Sequence, residues 1–301
     1  MSGSGPPGGL SLDTRAARRA FDRAGSGYDS LAVLQTEVRG ELLGRLELTA
    51  LTPGVILDAG CGTGHASRAL QRRFPGSRVI ALDFAPGMLR AARAQGRWLR
   101  PFHRVCADAC QLPLADGSVD LVFSNLLAHW CEPQALFAEV RRVLAPRGLF
   151  TFSCLGPDSL QELRAAWAAA DRDTHVHFFR DMHDLGDELL RAGFAAPVMD
   201  VERYTLRYRE LAALAADLRG TGAVNALHAR PKGLTGKGKF SRLAAAYEAL
   251  REDGRLPATV EVVYGQAWTP AAAAARPRPE PAAMGISLVA LRAKLPGKRR
   301  E

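Results

Sequence analysis

The run Val55-Ile-Leu-Asp58-Ala-Gly60-Cys-Gly62-Thr-Gly64-His65 gathers the residue types that hold a small charged ligand. An apolar, strand-like stretch ends in a carboxylate. Three glycines then let the backbone turn sharply and let a ligand approach it closely. Nicotinamide and flavin proteins also carry a Gly-rich loop at this kind of junction. Here the spacing is G-x-G-x-G rather than G-x-G-x-x-G, and Asp58 stands directly before the glycines. A carboxylate there would repel a pyrophosphate and favour a cation, such as the ammonium of a methionine moiety. A second carboxylate, Asp83, follows Gly64 by 19 residues at the end of RVIALD, where it can accept hydrogen bonds from both hydroxyls of a ribose. The implied ligand has a ribose and a positive charge but no phosphate at the loop.

Such groups converge only if strands and helices carry them to one edge. From Val55 short apolar runs alternate with helical stretches: VILDAG, a helix to about Phe74, RVIALD, a helix from Pro86 to about Gln95, HRVCAD, VDLVFSN, a helix from Pro133 to Leu144, and GLFTFSC. Buried strands alternating with helices predict an α/β fold with a parallel sheet and helices on both faces. Before this core, residues 13–25 and 31–48 read as two amphipathic helices. After Cys154 the alternation breaks. A helix is expected with Pro157 in its first turn, then one over 183–192 ending at Gly193, a strand over 197–208, a helix over 209–220, a Gly/Lys-rich loop over 225–240, a helix from Ser241 to about Glu252, and a strand over 258–268. This second half is expected to complete the same sheet and add a lid. The expected organisation is a disordered leader (1–12), one domain (13–269) with a cofactor-binding core (50–154) and lid elements (13–49 and 155–258), and a basic low-complexity tail (270–301).

With 301 residues the chain can bury a large core, and its 47% hydrophobic and 24% charged content suits a soluble globular protein. No apolar run approaches the roughly 20 residues that would span a bilayer. The leader MSGSGPPGGL has no basic or apolar signal region, and five cysteines with no zinc-type spacing point to a reducing, cytoplasmic setting. His175, His177 and His183 are poorly spaced for a metal, no acidic cluster is evident beside them, and no metal is expected. The net charge of +9 is uneven: residues 201–301 hold 18 Lys and Arg against 9 Asp and Glu. That asymmetry suits an acidic partner (nucleic acid, membrane surface or acidic protein) or a plain solvated surface. With 7% aromatic residues and no RNA-binding module, nucleic acid is not expected.

DAGCGTGH resembles the first motif of class I S-adenosylmethionine-dependent methyltransferases, and ALDFAPGML resembles their ribose motif. Ala107-Asp108-Ala109-Cys-Gln-Leu-Pro-Leu is similar to the segment that holds the adenine, with Asp108 accepting from its amino group. Phe123-Ser124-Asn125-Leu-Leu-Ala-His129-Trp130 resembles the fourth strand and its exit, and Val140 to Gly148 the entry to the fifth. The resemblance implies a Rossmann-like seven-stranded sheet with an N-terminal helical lid and a C-terminal insertion. It implies S-adenosyl-L-methionine as cofactor, held by Asp58, Gly60, Gly62, Gly64, Asp83, Phe84, Met88, Asp108, Ala109, Ser124 and Asn125.

Further segments narrow the family: Ala20 to Asp29, Leu155 to Arg164, Arg180 to Asp187, Leu218 to Asn225, Arg230 to Gly236, and Leu256 to Gly265. Together they resemble the malonyl-acyl-carrier-protein O-methyltransferases of biotin synthesis over about residues 14–268. One departure is that an expected His-Val-Asn-Arg-Phe reads His175-Val-His177-Phe178-Phe179, so its arginine is absent or replaced by Arg180. The resemblance implies methyl transfer to the free carboxylate of a malonyl thioester on carrier protein, an acidic partner that the basic C-terminal third would suit. A carboxylate is ionised at neutral pH and needs no general base, so positioning should dominate. Tyr28, Arg219 and Arg230 are the positioning candidates. Tyr28 either closes a lid or simply packs, and His129 and Trp130 are either pocket wall or core. Lys232, Lys237 and Lys239 either touch carrier protein or form a solvated loop. The chain is expected to be a monomer. A respiratory-complex assembly factor that hydroxylates a protein arginine, and a small-metabolite methyltransferase, are the alternatives.

Overall fold

The computed structural model describes residues 12–96, 101–231, 233 and 235–271. Most of the expected leader and tail, together with Lys232, lies outside the described residues. Among the described residues no helix is long and apolar enough to cross a membrane.

The first strand of the sheet is β1 (Val55–Ala59), an interior strand whose apolar residues Ile56 and Leu57 are fully buried. Gly64 at φ +85° ends the loop after it and starts α4 (His65–Arg73), a conformation that glycine adopts without strain. The chain returns as β2 (Arg78–Asp83), parallel to β1. Pro86 opens α5 (Pro86–Ala92) at a position where a missing N–H costs nothing. β3 (His103–Cys106) and β4 (Val119–Ser124) flank this pair, and Pro133 starts α6 (Pro133–Val143) before β5 (Leu144–Leu155). The strand order is β3-β2-β1-β4-β5-β7-β6, with β1 to β5 parallel. The order reverses between β1 and β4, so a crevice opens beyond the C-terminal ends of these strands, where ligands bind in open α/β sheets.

The last two strands, β6 (Ala195–Tyr208) and β7 (Leu256–Trp268), complete the sheet in the opposite sense. β7 runs antiparallel to both β5 and β6, so the sheet is mixed. Between β5 and β6 lie α7 (Gln161–Ala170) and α8 (Met182–Arg191). Between β6 and β7 lie α9 (Leu211–Gly220) and α10 (Lys237–Glu248). Ahead of the core come α1 (Thr14–Ala24), the single turn α2 (Tyr28–Leu31) and α3 (Val33–Arg45).

Several boundaries differ from the sequence expectation; α10 ends at Glu248 rather than about Glu252 and α5 at Ala92 rather than about Gln95, and three other differences have a visible cause. α7 begins at Gln161, four residues after Pro157, because Leu160 adopts φ +57° and Glu261 captures the turn: Asp158 N–H donates to its Oε2 at 2.8 Å and the Ser159 hydroxyl donates to its carbonyl at 2.9 Å. α10 starts at Lys237 rather than Ser241, since packing of Leu243 and Tyr247 against α7 and β7 carries Gly238 into the first turn. The helix expected over 31–48 is interrupted at Ala32 (ψ +47°), which separates α2 from α3.

Candidate active site

The glycine loop is tied to β2 by its own backbone. Gly60 N–H and Cys61 N–H donate to the Leu82 carbonyl at 2.8 and 2.9 Å, and Gly62 N–H donates to Asp83 Oδ2 at 3.0 Å. Ala85 N–H donates to Asp83 Oδ1 at 2.8 Å. Asp83 is therefore held from both sides while each oxygen keeps a lone pair for another donor. Gly62 sits at φ +51° with nothing near the place a Cβ would occupy, so the loop presents bare backbone. Asp58 lies behind the glycines, 1% exposed, and accepts from the Ser67 hydroxyl. Burial pushes the Asp58 carboxyl up to about 7 and the Asp83 carboxyl up to about 6. Two carboxylates short of water at one end of a crevice favour a cation.

That crevice is a cavity of about 1040 Å³. Gly60, Gly62 and Asp83 form one end of it. Phe84, Met88, Asp108 and Ala109 line the next stretch, with Asp108 Oδ1 accepting from Cys110 N–H at 2.8 Å. Asn125 also lines it, oriented by the Ser153 hydroxyl, which donates to its Oδ1 at 3.0 Å, and by the Gln35 carbonyl at 3.2 Å. Asp58, Gly64 and Ser124 stand behind the wall rather than on it. Ser124 is fully buried, and its hydroxyl has no partner among the described residues.

The N-terminal helices close over this end. Asp29 accepts from the Thr63 hydroxyl at 2.6 Å and lies 3.0 Å from His65 Nε2, so α2 is latched to the glycine loop. Gly87 N–H donates to Asp22, and the backbones at Gly25 and Gly87 approach so closely that a Cβ on Gly87 would overlap the Asp22 carbonyl. Tyr28 lines the cavity; burial and then the Asp83 and Asp29 carboxylates push its phenol well above the ordinary tyrosine range. Arg39 on α3 is half-buried and makes no ion pair or hydrogen bond among the described residues. Burial lowers its pKa, opposed by Asp29 and Asp58.

The far end of the cavity is aromatic. Phe21 packs edge-on to Trp130 at 5.1 Å, Trp130 to His177 at 5.1 Å, and His129 to Phe179 at 5.8 Å. Leu155 N–H donates to His129 Nδ1 at 3.3 Å, so the neutral ring carries its proton on Nε2, whose N–H has no partner among the described residues. Ala226 N–H donates to His177 Nε2 at 2.8 Å, which puts that proton on Nδ1. Burial pushes His129 down to about 3 and His177 down to about 4, so both are neutral at physiological pH. Arg164 fastens the segment, donating to the carbonyls of Pro157, Ser159 and His177 at 3.1, 3.2 and 3.3 Å.

Of the arginines singled out in the sequence, Arg230 is committed to Asp13 at 3.0 Å and to the Leu227 carbonyl at 2.8 Å, so it ties α1 to the loop after α9. Arg219 is exposed on α9 and does not line the cavity. Arg180 does line it, paired with Glu132 at 3.3 Å. The histidine segment does have an acidic cluster beside it. Asp171 and Asp173 stand four and two residues before His175 and cluster with it, a spacing already present in the sequence, and Lys239 engages both carboxylates at 3.0 and 3.2 Å. Sequence reasoning did not single out His129 Nε2, Arg39, Arg164 or Phe21. Only the proximity of His129 and Trp130 to the fourth-strand motif hinted at the aromatic end.

Residues 57–152 match the methyltransferase-domain family. The fold is similar to a solved chain from Bacillus halodurans (TM-score 0.56, 20% identity, covering 77% of this chain and 99% of that one) and to the YcgJ protein of Bacillus subtilis (TM-score 0.55, 16% identity, covering 76% and 97%). Fold and site together define a Rossmann-like class I methyltransferase. Relatives closer in sequence narrow this. The malonyl-[acyl-carrier protein] O-methyltransferase of Laribacter hongkongensis is 52% identical over 275 residues, covering 88% of this chain and 92% of its own length; that of a Methylovorus species is 50% identical with the same coverage. The chain belongs to the malonyl-[acyl-carrier protein] O-methyltransferase family.

Proposed function

We propose that the protein transfers a methyl group from S-adenosyl-L-methionine to the free carboxylate of a malonyl thioester on acyl carrier protein, giving the malonyl methyl ester that primes biotin synthesis in a reducing cytoplasm. The observation that carries this reading is near-full-length identity of 46–52% to relatives named for that reaction. The cavity fits the cofactor's chemistry. Gly62 leaves bare backbone that a Cβ would fill, and the Asp83 carboxylate on the wall, with the Asp58 carboxylate behind it, favours a ribose and a cation. Asp83 would accept the ribose hydroxyls, Asp108 the adenine amino group, with Phe84, Met88 and Ala109 as apolar walls. Tyr28, which lines the cavity, would close over the site. Asp58, Gly64 and Ser124 would act by shaping the loop from behind.

When bound, S-adenosyl-L-methionine supplies an electrophilic sulfonium methyl. The protein has to hold an ionised carboxylate in line with it and keep water away. Phe21, Trp130 and Phe179 exclude water at the aromatic end, where opposite charges that cancel gain most from a low dielectric. His129 and His177 stay neutral there and withdraw no proton. The Nε2–H of His129 can donate one uncharged hydrogen bond to the acceptor, orienting it without the grip an arginine ion pair would exert on its lone pairs. No general base is required, because the acceptor carboxylate is already ionised.

The test is incubation of malonyl-carrier protein with the enzyme and S-adenosyl-L-methionine, followed by mass spectrometry of the carrier. A gain of one methyl ester, absent with acetyl-carrier protein, is the expected result. No methyl ester on the carrier, together with hydroxylation of a partner-protein arginine (a gain of one oxygen), would replace this reading with that of an assembly factor.

A further inference from the structure

α1 has two faces of opposite character. Ala17, Ala20 and Ala24 are 3%, 6% and 8% exposed and pack it onto the body of the protein, while Leu12, Thr14 and Phe21 help wall the cavity. The opposite face carries Arg15, Arg18, Arg19 and Arg23, at helical spacings of three and four. All four are exposed, and none has an ion pair or hydrogen-bonding partner for its side chain among the described residues. Arg219, also exposed and unpaired, extends the patch from the neighbouring α9, which packs beside α1.

The contrast with other cations is sharp. In the C-terminal third Arg203, Arg207, Arg230, Lys239 and Arg251 all meet carboxylates. Seven more of its eighteen basic residues lie beyond residue 271, outside the described residues. Arg209 and Lys237 are also exposed with no carboxylate partner among the described residues, but the run of unpaired arginines beside the cavity-lining Thr14 and Phe21 is on α1, in the first two-thirds of the sequence, which is neutral overall.

We propose that the arginine face of α1, extended by Arg219, is the docking surface for the acidic carrier protein, which sets the carrier's thioester arm at the cavity rim beside Leu12, Thr14 and Phe21. This rests on the reading of carrier protein as bearer of the acceptor. An acidic protein surface suits the patch by charge. A membrane does not, because the apolar side of α1 is already buried against the protein and cannot enter a lipid interface. A nucleic acid would be expected to meet stacking aromatics as well as cations, and the exposed residues on this face of the helix include none. Arg219 thereby acts on the partner rather than on the reacting carboxylate.

The experiment compares wild type with the Arg15→Glu/Arg19→Glu/Arg23→Glu triple variant, with Arg19→Gln, and with Arg72→Glu, an exposed and unpaired control on α4. Two readouts are taken on the full chain: binding of fluorescent holo-carrier protein across a salt series, and methyl transfer to malonyl-carrier protein and to malonyl-pantetheine, which has the thioester but no protein. The triple variant should bind carrier protein at least about tenfold more weakly, with a shallower salt dependence and a correspondingly raised KM, while malonyl-pantetheine turnover stays within about twofold. Arg19→Gln should show a smaller loss in the same direction, and Arg72→Glu none. Unchanged carrier binding in the triple variant overturns the proposal. Equal loss on both acceptors also overturns it, since α1 would then be merely structural, as does tighter binding of wild type to duplex DNA than to carrier protein. If wild type binds carrier protein through α1 yet methylates no malonyl thioester, the docking face stands and the acceptor assignment falls.

Discussion

The two ends of the cavity are built on different plans. At the glycine-loop end most functional groups come from one stretch of chain, residues 58–125, and are mostly backbone amides and carboxylates set at the ends of adjacent parallel strands, with Tyr28 and Asp29 of the N-terminal helices closing over them. At the aromatic end four separate segments meet: Phe21 from α1, His129 and Trp130 after β4, Leu155 at the end of β5, and the loop from His177 to Arg180. The first plan fixes a ligand by charge and by close approach to the backbone. The second is a largely aromatic chamber in which the two neutral imidazoles each keep one N–H without a partner among the described residues, His129 at Nε2 and His177 at Nδ1, with the Arg180–Glu132 pair beside them. A methyl donor carrying a ribose and a cation needs the first, and an anionic acceptor that must keep its nucleophilicity needs the second.

This division can be broken by substitution. The largest effects belong to the loop end. Asp83→Ala and Gly62→Arg should each weaken S-adenosylhomocysteine binding by about a hundredfold or more with the fold intact, as read by calorimetry and circular dichroism, because a hydrogen-bonded buried carboxylate is lost or bare backbone is filled. Unchanged affinity would overturn the pocket assignment. Next, His129→Ala should leave that affinity within about twofold but lower kcat/KM for malonyl-carrier protein by about ten- to a hundredfold, the size of one buried hydrogen bond. His129→Asn, which keeps an N–H donor, should recover part of it. Loss of cofactor affinity in His129→Ala would merge the two ends into one. Gly87→Ala should have an intermediate effect, since its methyl group meets the Asp22 carbonyl and pushes α1 outward. Both cofactor affinity and the melting temperature should fall, the latter by a few degrees.

The smallest effects are in pH. Asp58 and Asp83 have folded pKa values of about 7 and about 6, above the ordinary value near 4, so the folded state binds more protons than the unfolded state between those limits. The stability they contribute is present below about pH 4 and lost as pH rises through 6 to 7, whereas cation binding requires the ionised forms. Cofactor affinity should therefore decline from pH 8 to pH 5.5. Asp58→Asn should raise the melting temperature of the unliganded protein by a few degrees at pH 8 and not at pH 5. His129 and His177 act oppositely: their depressed values contribute stability above about pH 6.5 that is lost as pH falls through 4 and 3. In Asp58→Asn the pH profile for cofactor binding should keep only the step near 6 that belongs to Asp83 and lose the one near 7, which would sharpen the assignment of charge to the loop end.

The loop end was legible because its chemistry is local. The G-x-G-x-G spacing, Asp83 closing β2 and Asp108 after β3 are all strand-end positions, and strand ends are visible as breaks in apolar runs. Asp58 and Ser124 share that signature but face inward, since strand residues alternate sides and the sequence does not say which side the crevice takes. The aromatic end was not legible because it exists only through tertiary contacts. No spacing joins Phe21 to Trp130, and the tautomer of His129 depends on the Leu155 amide, 26 residues away. The arginines chosen by type alone divide for the same reason: Arg230 is spent on Asp13, and Arg219 points the cationic surface outward beside α1. The two last strands were expected to complete the sheet, but the antiparallel sense of β7 against β5 and β6 was not, because the alternation rule reports parallel crossovers and stops at Cys154.

The most direct test of the account is methyl transfer from labelled S-adenosyl-L-methionine to malonyl-carrier protein, acetyl-carrier protein and malonyl-coenzyme A, run with wild type and His129→Ala. Label on malonyl-carrier protein above the other two acceptors, reduced in the variant at unchanged cofactor affinity, is the predicted result. Label on none of the three, with S-adenosylhomocysteine still bound, would contradict the assignment of a free-carboxylate acceptor to the aromatic end.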